Sequence, residues 1–101
     1  MRPVFWSVEA QRDNLEILTY LAADNPGAAD RVVDAIAEAG TALGRFATGK
    51  PGRVLGTYEK PLARYPYVIA YAVQLVDGIE SIVIVRVIHM ARDWPSEDWP
   101  E

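Results

Sequence analysis

The residues best suited to chemistry in this sequence are arginines in its second half. Arg53 begins one segment that predicts a β-strand, Arg64 precedes the next, Arg86 lies inside the third and Arg92 follows it. A guanidinium group donates paired hydrogen bonds to phosphate or carboxylate, and it stabilises charge that develops in phosphoryl chemistry. For Arg53 and Arg64 taken alone, solvated strand-end charges are the more ordinary interpretation. Arg86 lies between two valines, where a charged side chain needs a partner or marks a site.

His89 is the only histidine in the chain. An imidazole with its usual pKa of about 6.5 suits general acid or base catalysis, although a single histidine at a strand end also fits a packed structural role. The absence of cysteine excludes disulfides, a thiolate nucleophile and thiolate zinc ligands, and one histidine excludes a multi-histidine metal centre. The sequence contains no glycine-rich phosphate loop, nucleophile elbow or carboxylate pair. We therefore expect no metal and no cofactor.

Charge is unevenly distributed along the chain, whose net charge is -4. Residues 1–44 and 77–101 are acidic, whereas residues 45–76 carry five basic side chains against Glu59 alone. The electrostatic field near this middle segment is therefore expected to differ in sign from that of the whole molecule. The overall acidity disfavours tight, non-specific binding to nucleic acid.

Length and composition predict one globular domain. The 101 residues are 50% hydrophobic and 24% charged, which is typical of a folded domain and not of a disordered chain. We treat residues 1–101 as a single unit with an acidic C-terminal tail at 96–101. The N-terminal apolar run is too short for a signal peptide or a membrane span, so we expect a cytoplasmic protein with no membrane partner.

Two amphipathic helices are predicted in the first half. Ser7 is a plausible N-cap for a helix over 9–24, and Asn25-Pro26 begins a second helix, since proline at the first helical position loses no hydrogen bond. Three acids of the first helix are expected to face mostly outward: Asp13, Glu16 and Asp24. The apolar stripe of the second helix consists of Ala29, Val32, Val33, Ile36, Gly40 and Leu43.

β-strands are predicted before these helices and after them. The segments are 3–8, 53–58, 66–76 and 81–90, and Asp77-Gly78 is a hairpin signal between the last two. The order β-α-α-β-β-β predicts an α+β fold. In it the helical hairpin covers one face of a small, mainly antiparallel sheet, and the first strand joins an edge.

Alternation in the last strand predicts a second apolar face. One set of side chains is Val83, Val85, Val87 and His89, and the opposite set is Ile82, Ile84, Arg86 and Ile88. Both sets are largely apolar, and only one can lie under the helices. Either a protein partner, or loops and the C-terminal segment, would cover the other.

Several segments, in this order and spacing, resemble a known family. They are Asp24-Asn25-Pro26 with Ala28-Ala29, Gly52-Arg53, Gly56-Thr57 with Glu59, the run from Pro66 to Tyr71, and the run from Val85 to Trp94. From about Val4 to Pro95 the chain resembles the RelE/ParE toxins of type II toxin–antitoxin modules. The fold that this resemblance implies, a helical hairpin on a small antiparallel sheet, agrees with the predicted element order.

The resemblance implies one of two activities. RelE-like toxins are ribosome-dependent endoribonucleases, whereas ParE-like toxins poison DNA gyrase and are not thought to be nucleases. Residues 66–73 contain none of the lysines and arginines common on that strand in the nuclease branch, and Trp94 stands nearest to the missing C-terminal tyrosine. Arg86 and His89 match both branches, while Tyr58 and Lys60 depart from the family pattern. The resemblance therefore favours the ParE branch and a non-enzymatic toxin.

This interpretation implies partners and site residues. We expect a cognate antitoxin of the ribbon-helix-helix type in a hetero-oligomer, DNA gyrase as the target, growth arrest and plasmid stabilisation. A RelE-like mRNA endonuclease and a non-toxic binding module of the same fold remain alternatives. Target-binding candidates are Arg53, Arg64, Arg86, Arg92 and Trp94. The catalytic set, if the chain is a nuclease, is Arg64, Arg86 and His89. Antitoxin-binding candidates are Ile82, Ile84 and Ile88.

Overall fold

The computed structural model describes residues 1–91, in which two helices pack on one face of a five-stranded sheet. The strand order is β1-β5-β4-β3-β2, with β1 parallel to β5 and the other neighbours antiparallel. The elements are β1 (Val4–Trp6), α1 (Val8–Ala22), α2 (Pro26–Arg45), β2 (Lys50–Pro51), β3 (Tyr58–Pro61), β4 (Tyr67–Val76) and β5 (Ile79–His89). The predicted α+β fold, with its helical hairpin and the first strand at an edge, is confirmed.

Some predictions fall on residues that the structure does not describe. Arg92, Trp94 and the acidic tail at 96–101 lie outside residues 1–91. Within the described residues, no helix is long and apolar enough to cross a membrane.

Local signals position both helices. The Ser7 hydroxyl oxygen accepts a hydrogen bond from the Ala10 N–H at 3.0 Å, and Asn25 Oδ1 accepts one from the Ala28 N–H at 3.0 Å. Pro26 occupies the first turn of α2, as predicted. Each cap satisfies a backbone donor that the helix itself leaves open, and such caps stabilise a fold by about 1 kcal/mol each.

Glycine lets α2 lie directly on β1. A Cβ atom at Gly40 would overlap the indole ring of Trp6 and approach Ile84 Cδ1 to 2.8 Å. A Cβ atom at Gly44 would lie 2.5 Å from the carbonyl oxygen of Arg2. The predicted apolar stripe of α2 is confirmed by the burial of Ala29, Val32, Ile36, Gly40 and Leu43. Gly40 in this stripe and the neighbouring Gly44 both require the smallest residue.

The predicted strand over 53–58 is wrong. The Thr57 hydroxyl donates to the Val54 carbonyl at 2.6 Å, and Gly56 has a φ of 86°. Together they form a turn between β2 and β3, and of the predicted segment only Tyr58 lies in a strand. Val54 and Thr57 favour a strand by their β-branched side chains, but Gly56 readily adopts the positive φ angle that the turn requires, and the turn forms instead.

A β-bulge in β5 changes which residues share a face. Ala70 lies opposite Arg86 while Tyr71 lies opposite Ile84, so Val85 is an extra residue on β5. Directly opposed residues of antiparallel strands point to the same face. On the helix side are Ile82, Ile84, Val87 and His89, opposite Val73, Tyr71, Ile69 and Tyr67. The opposite, outer face of the sheet carries Arg86 and Ile88, opposite Ala70 and Val68.

The predicted grouping of Ile82, Ile84, Arg86 and Ile88 on one face is therefore wrong. Ile82 and Ile84 belong to the core beneath the helices and are 0% exposed. Ile88 and Val68 lie on the outer face but are also buried. These isoleucines offer almost no side-chain surface on which an antitoxin could rest. Strict alternation could not anticipate this, because one inserted residue shifts every later side chain to the opposite face.

Candidate arginine sites on the outer face

Beyond the end of β1, Ser7 and the first turns of α1 lie along the edge of β5 and bond to its backbone. The Ser7 N–H donates to the Ile84 carbonyl at 2.9 Å, and the Ser7 hydroxyl donates to the carbonyl of the bulge residue Val85 at 2.9 Å. In the second turn of α1, Asp13 Oδ2 accepts a hydrogen bond from the Val87 N–H at 2.9 Å. The bulge is thus held by side chains of the segment that begins α1.

The same carboxylate binds Arg86. Arg86 Nε lies 2.8 Å from Asp13 Oδ2, and Arg86 Nη2 lies 3.1 Å from Asp13 Oδ1. The Asp13 side chain is 8% exposed and the Arg86 side chain 15%. Asp13 therefore accepts from three donors within a mostly buried site. Two of the nitrogen atoms of this guanidinium therefore already donate to a carboxylate and are not available to a phosphate.

The expectation that Asp13 faces outward is wrong. Asp13 follows Ala10 by three residues and precedes Ile17 by four, so helical geometry places it on the face that packs against the sheet. This spacing was the available signal. Combined with the requirement that a mid-strand arginine find a partner, it indicates an acid on this face of α1.

Arg53 is also engaged by a carboxylate. Its Nε and Nη2 atoms lie 3.1 Å and 3.2 Å from the two carboxylate oxygens of Glu59, and its backbone N–H donates to Glu59 Oε2 at 2.7 Å. Burial raises the pKa of Glu59, but the hydrogen bonds from Arg53 and the charges of Arg53 and Lys50 outweigh burial. The pKa is consequently lowered from 4.5. The Glu59 side chain is 7% exposed, whereas that of Arg53 is half exposed.

The two arginine–carboxylate pairs belong to one row across the sheet. Glu59 on β3 lies opposite Ala70 on β4, and Ala70 lies opposite Arg86 on β5. β3 and β5 lie on either side of β4 and are therefore two strand spacings, or about 10 Å, apart. The structure therefore brings Arg53 and Arg86 to the same outer face, with the small Ala70 between the strands that carry their pairs.

Arg64 stands apart from this row. It is exposed in the loop before β4 and lines a groove of about 420 Å³ with Lys60 and Tyr65, next to α2. Within residues 1–91, Arg64 has no ion-pair partner within 4.0 Å. Of the arginines singled out in the described part of the chain, Arg64 is the most accessible to an external anion.

His89 lies on the helix side of the sheet. Its ring meets that of Tyr67 edge-on with centroids 5.2 Å apart, and its Nδ1 atom accepts a hydrogen bond from the Ala91 N–H at 3.1 Å. By register it faces opposite to Arg86. The three residues predicted as a nuclease catalytic set therefore do not come together. Arg64 lies in a loop groove, Arg86 is in a mostly buried ion pair, and His89 lies on the helix side of the sheet. Within residues 1–91, no group of three or more His, Asp or Glu side chains could hold a metal ion.

Comparison with known proteins identifies the class. The family model for the ParE toxin of the type II toxin–antitoxin system parDE matches residues 4–94. The chain is thus a toxin of type II toxin–antitoxin systems, and it belongs to the ParE toxin family.

Individual relatives agree with this assignment. A Sinorhizobium fredii (strain NBRC 101917 / NGR234) protein named "Putative toxin Y4kP" is 38% identical over 91 residues, which cover 89% of this chain and 90% of that protein. The structure of the chromosomal ParDE toxin–antitoxin system from P. aeruginosa matches with a TM-score of 0.77 at 26% identity, covering 88% of this chain and 96% of that one. The RelBE2 toxin–antitoxin complex from Mycobacterium tuberculosis matches with a TM-score of 0.61 at 26% identity, covering 87% and 96%.

Proposed function

We propose that this toxin is a ParE-like inhibitor of DNA gyrase, that it acts when released from its antitoxin, and that it does not cleave RNA. The observation that carries the proposal is the pairing of Arg86 with Asp13. An RNA-cleaving site needs donors that are open to the scissile phosphate and that strengthen their contacts as charge develops. Here the mostly buried guanidinium of Arg86 is already bound by a carboxylate on two of its nitrogens.

The neighbouring strand supports the same conclusion. Residues 67–72 of β4 are all buried and include no lysine or arginine, although basic residues on this strand are expected of the nuclease branch. The structural similarity to the P. aeruginosa ParDE system, with a TM-score of 0.77, also exceeds the 0.61 found for RelBE2.

We assign target binding to Arg64 before the other arginines. It is exposed, it has no ion-pair partner among residues 1–91, and the lining of its groove includes a second cation, Lys60, as well as the acidic Glu38. An exposed cation that pairs only in the complex contributes to the rate and specificity of association. Arg53 already has a carboxylate partner, so we expect it to contribute less to target binding.

The decisive experiment is a gyrase supercoiling assay with purified toxin, accompanied by detection of trapped, cleaved DNA. The toxin is expected to inhibit supercoiling, Arg64→Ala to weaken inhibition several-fold, and the control Arg31→Ala to leave it unchanged. Arg31 is an exposed arginine of α2 that does not line the Arg64 groove. Unchanged supercoiling and no trapped DNA would refute the proposal.

The RelE-like alternative has its own support in the RelBE2 similarity and in the exposed His89. Incubation with programmed ribosomes tests it directly. Cleavage of mRNA that is lost in both Arg86→Ala and His89→Gln would replace the gyrase proposal with a nuclease. Harmless expression without an antitoxin, together with failure of both assays, would indicate the non-toxic binding module.

We further propose that the partner is a small antitoxin with a ribbon-helix-helix DNA-binding part, forming a hetero-oligomer with the toxin in the cytoplasm. This proposal is supported by the family assignment and by the two solved structures named above, which both come from toxin–antitoxin systems. A short reading frame beside the toxin gene should encode it. Its co-expression should relieve growth arrest and yield a complex that purifies intact.

A further inference from the structure

A groove of about 450 Å³ lies between α1 and the adjoining ends of β4 and β5, on the helix side of the sheet. Its walls include Glu16, Ile17 and Tyr20 of α1, together with Tyr67 and His89 from the strands. This volume falls within the range of about 300–1,000 Å³ that is typical of ligand-binding pockets. Of the candidates within residues 1–91, neither Arg53, Arg64 nor Arg86 lines it, so the role argued below is separate from the function proposed above.

Aromatic rings dominate the groove. Tyr20 is 78% exposed and projects from α1, while the buried Tyr67 and the exposed His89 meet edge-on across β4 and β5. Burial raises the pKa of Tyr67, and the neighbouring Tyr20 raises it further, which agrees with two phenols lining one groove. Aromatic ring faces carry partial negative charge and attract cations.

The fixed charge in the groove is negative. Asp13 lines it as well, but this carboxylate is already bound by Arg86 and by the Val87 N–H. Glu16 is exposed, and among the described residues it has no ion pair within 4.0 Å. Among residues 1–91, no lysine or arginine lines the groove. One uncompensated carboxylate therefore stands beside aromatic rings.

We propose that this groove binds the side chain of an arginine presented by a partner polypeptide. The planar guanidinium group stacks on the exposed rings of Tyr20 and His89, and Glu16 accepts its paired hydrogen bonds. Arginine suits these surroundings better than lysine, because a guanidinium is planar, weakly hydrated and forked, whereas an ammonium is a compact, strongly hydrated charge. The apolar stem of the arginine packs on Ile17.

The test is an NMR titration of the purified toxin with N-acetyl-arginine amide, following the ring signals of Tyr20 and His89. N-acetyl-citrulline amide, which has nearly the same shape without the charge, is the control probe. We expect saturable shifts with the arginine probe in the millimolar range. Glu16→Gln and Tyr20→Leu should each weaken binding about two- to fivefold, as is typical of exposed charge and cation–π contacts.

A matched variant separates a local effect from a change in overall charge. Asp34→Asn removes the same charge from α2, outside the groove, and should leave the affinity unchanged. Equal binding of the two probes, no saturable shift with the arginine probe, or an unchanged affinity in Glu16→Gln would overturn the proposal. A toxin that fails to inhibit gyrase but binds the probe as described would leave this inference standing.

Discussion

Replacing Asp13 by asparagine is expected to destabilise the toxin strongly, although the side chain keeps its size. The substitution leaves the mostly buried guanidinium of Arg86 without the carboxylate charge that lies 2.8 Å from its Nε atom. It also replaces one of two acceptor oxygens by an amide donor. Removing one partner of a buried ion pair typically costs about 3–5 kcal/mol.

The 15% exposure of the Arg86 side chain admits some solvent, so we expect a loss of about 2–4 kcal/mol. A domain of this size is stable by about 5–15 kcal/mol, and each kcal/mol lowers its melting temperature by about 4–8 °C. Asp13→Asn should therefore melt at least about 8 °C below the parent protein. Urea unfolding followed by tryptophan fluorescence measures the free energy directly.

Two further variants make the experiment specific. Asp24→Asn, an exposed acid just after α1, should change stability by less than about 0.5 kcal/mol. The double variant Asp13→Asn with Arg86→Met should be more stable than Asp13→Asn alone, because it no longer buries a guanidinium that has lost the Asp13 carboxylate. A cost for Asp13→Asn below about 0.5 kcal/mol, or a double variant no more stable than the single one, would refute the reasoning.

Two other predictions concern Glu59 and Gly40. Because the pKa of Glu59 is lowered from 4.5, its carboxylate stabilises the fold above that value, and this contribution is lost as pH falls through the folded pKa. The unfolding free energy of Glu59→Gln should therefore fall less than that of the parent between about pH 5 and pH 3, and parallel pH curves would contradict this. Gly40→Ala should cost about 1–3 kcal/mol, since its Cβ atom would overlap Trp6. The control Gly27→Ala, whose nearest neighbour would lie at 3.5 Å, should be neutral or stabilising, and equal thermal melts of the two variants would contradict the packing argument.

Elements with local causes were predicted correctly from the sequence. The helix starts at Ser7 and Asn25 depend on side chains that bond within three residues. The turn at Asp77-Gly78 depends on φ angles of 52° and 78°, which suit this residue pair in a type I′ hairpin. Such signals act over a few residues and are therefore visible in the sequence itself.

The outer-face sites were only half predicted. Arg86 is correctly predicted from the sequence to need a partner or to mark a site, whereas Arg53 is predicted only as a binding candidate or a solvated charge. Neither Asp13 nor Glu59 is identified as the partner. The Asp13–Arg86 contact joins residues 73 positions apart, so no local pattern links them. The missed bulge at Val85 has the same cause, because the Ser7 hydroxyl that holds its carbonyl lies 78 positions away.

By itself, the sequence determined the element order, the helical hairpin, the uneven charge and the family resemblance, since these follow from periodicity, capping residues, composition and local motifs. Only the tertiary structure decided which face each side chain of β5 occupies and which arginines are already bound. Those outcomes depend on one bulge and on two carboxylates brought in from α1 and β3. A one-residue shift in register moves every later side chain of a strand to the opposite face. A charged side chain is buried only where the folded chain brings a partner of opposite charge next to it.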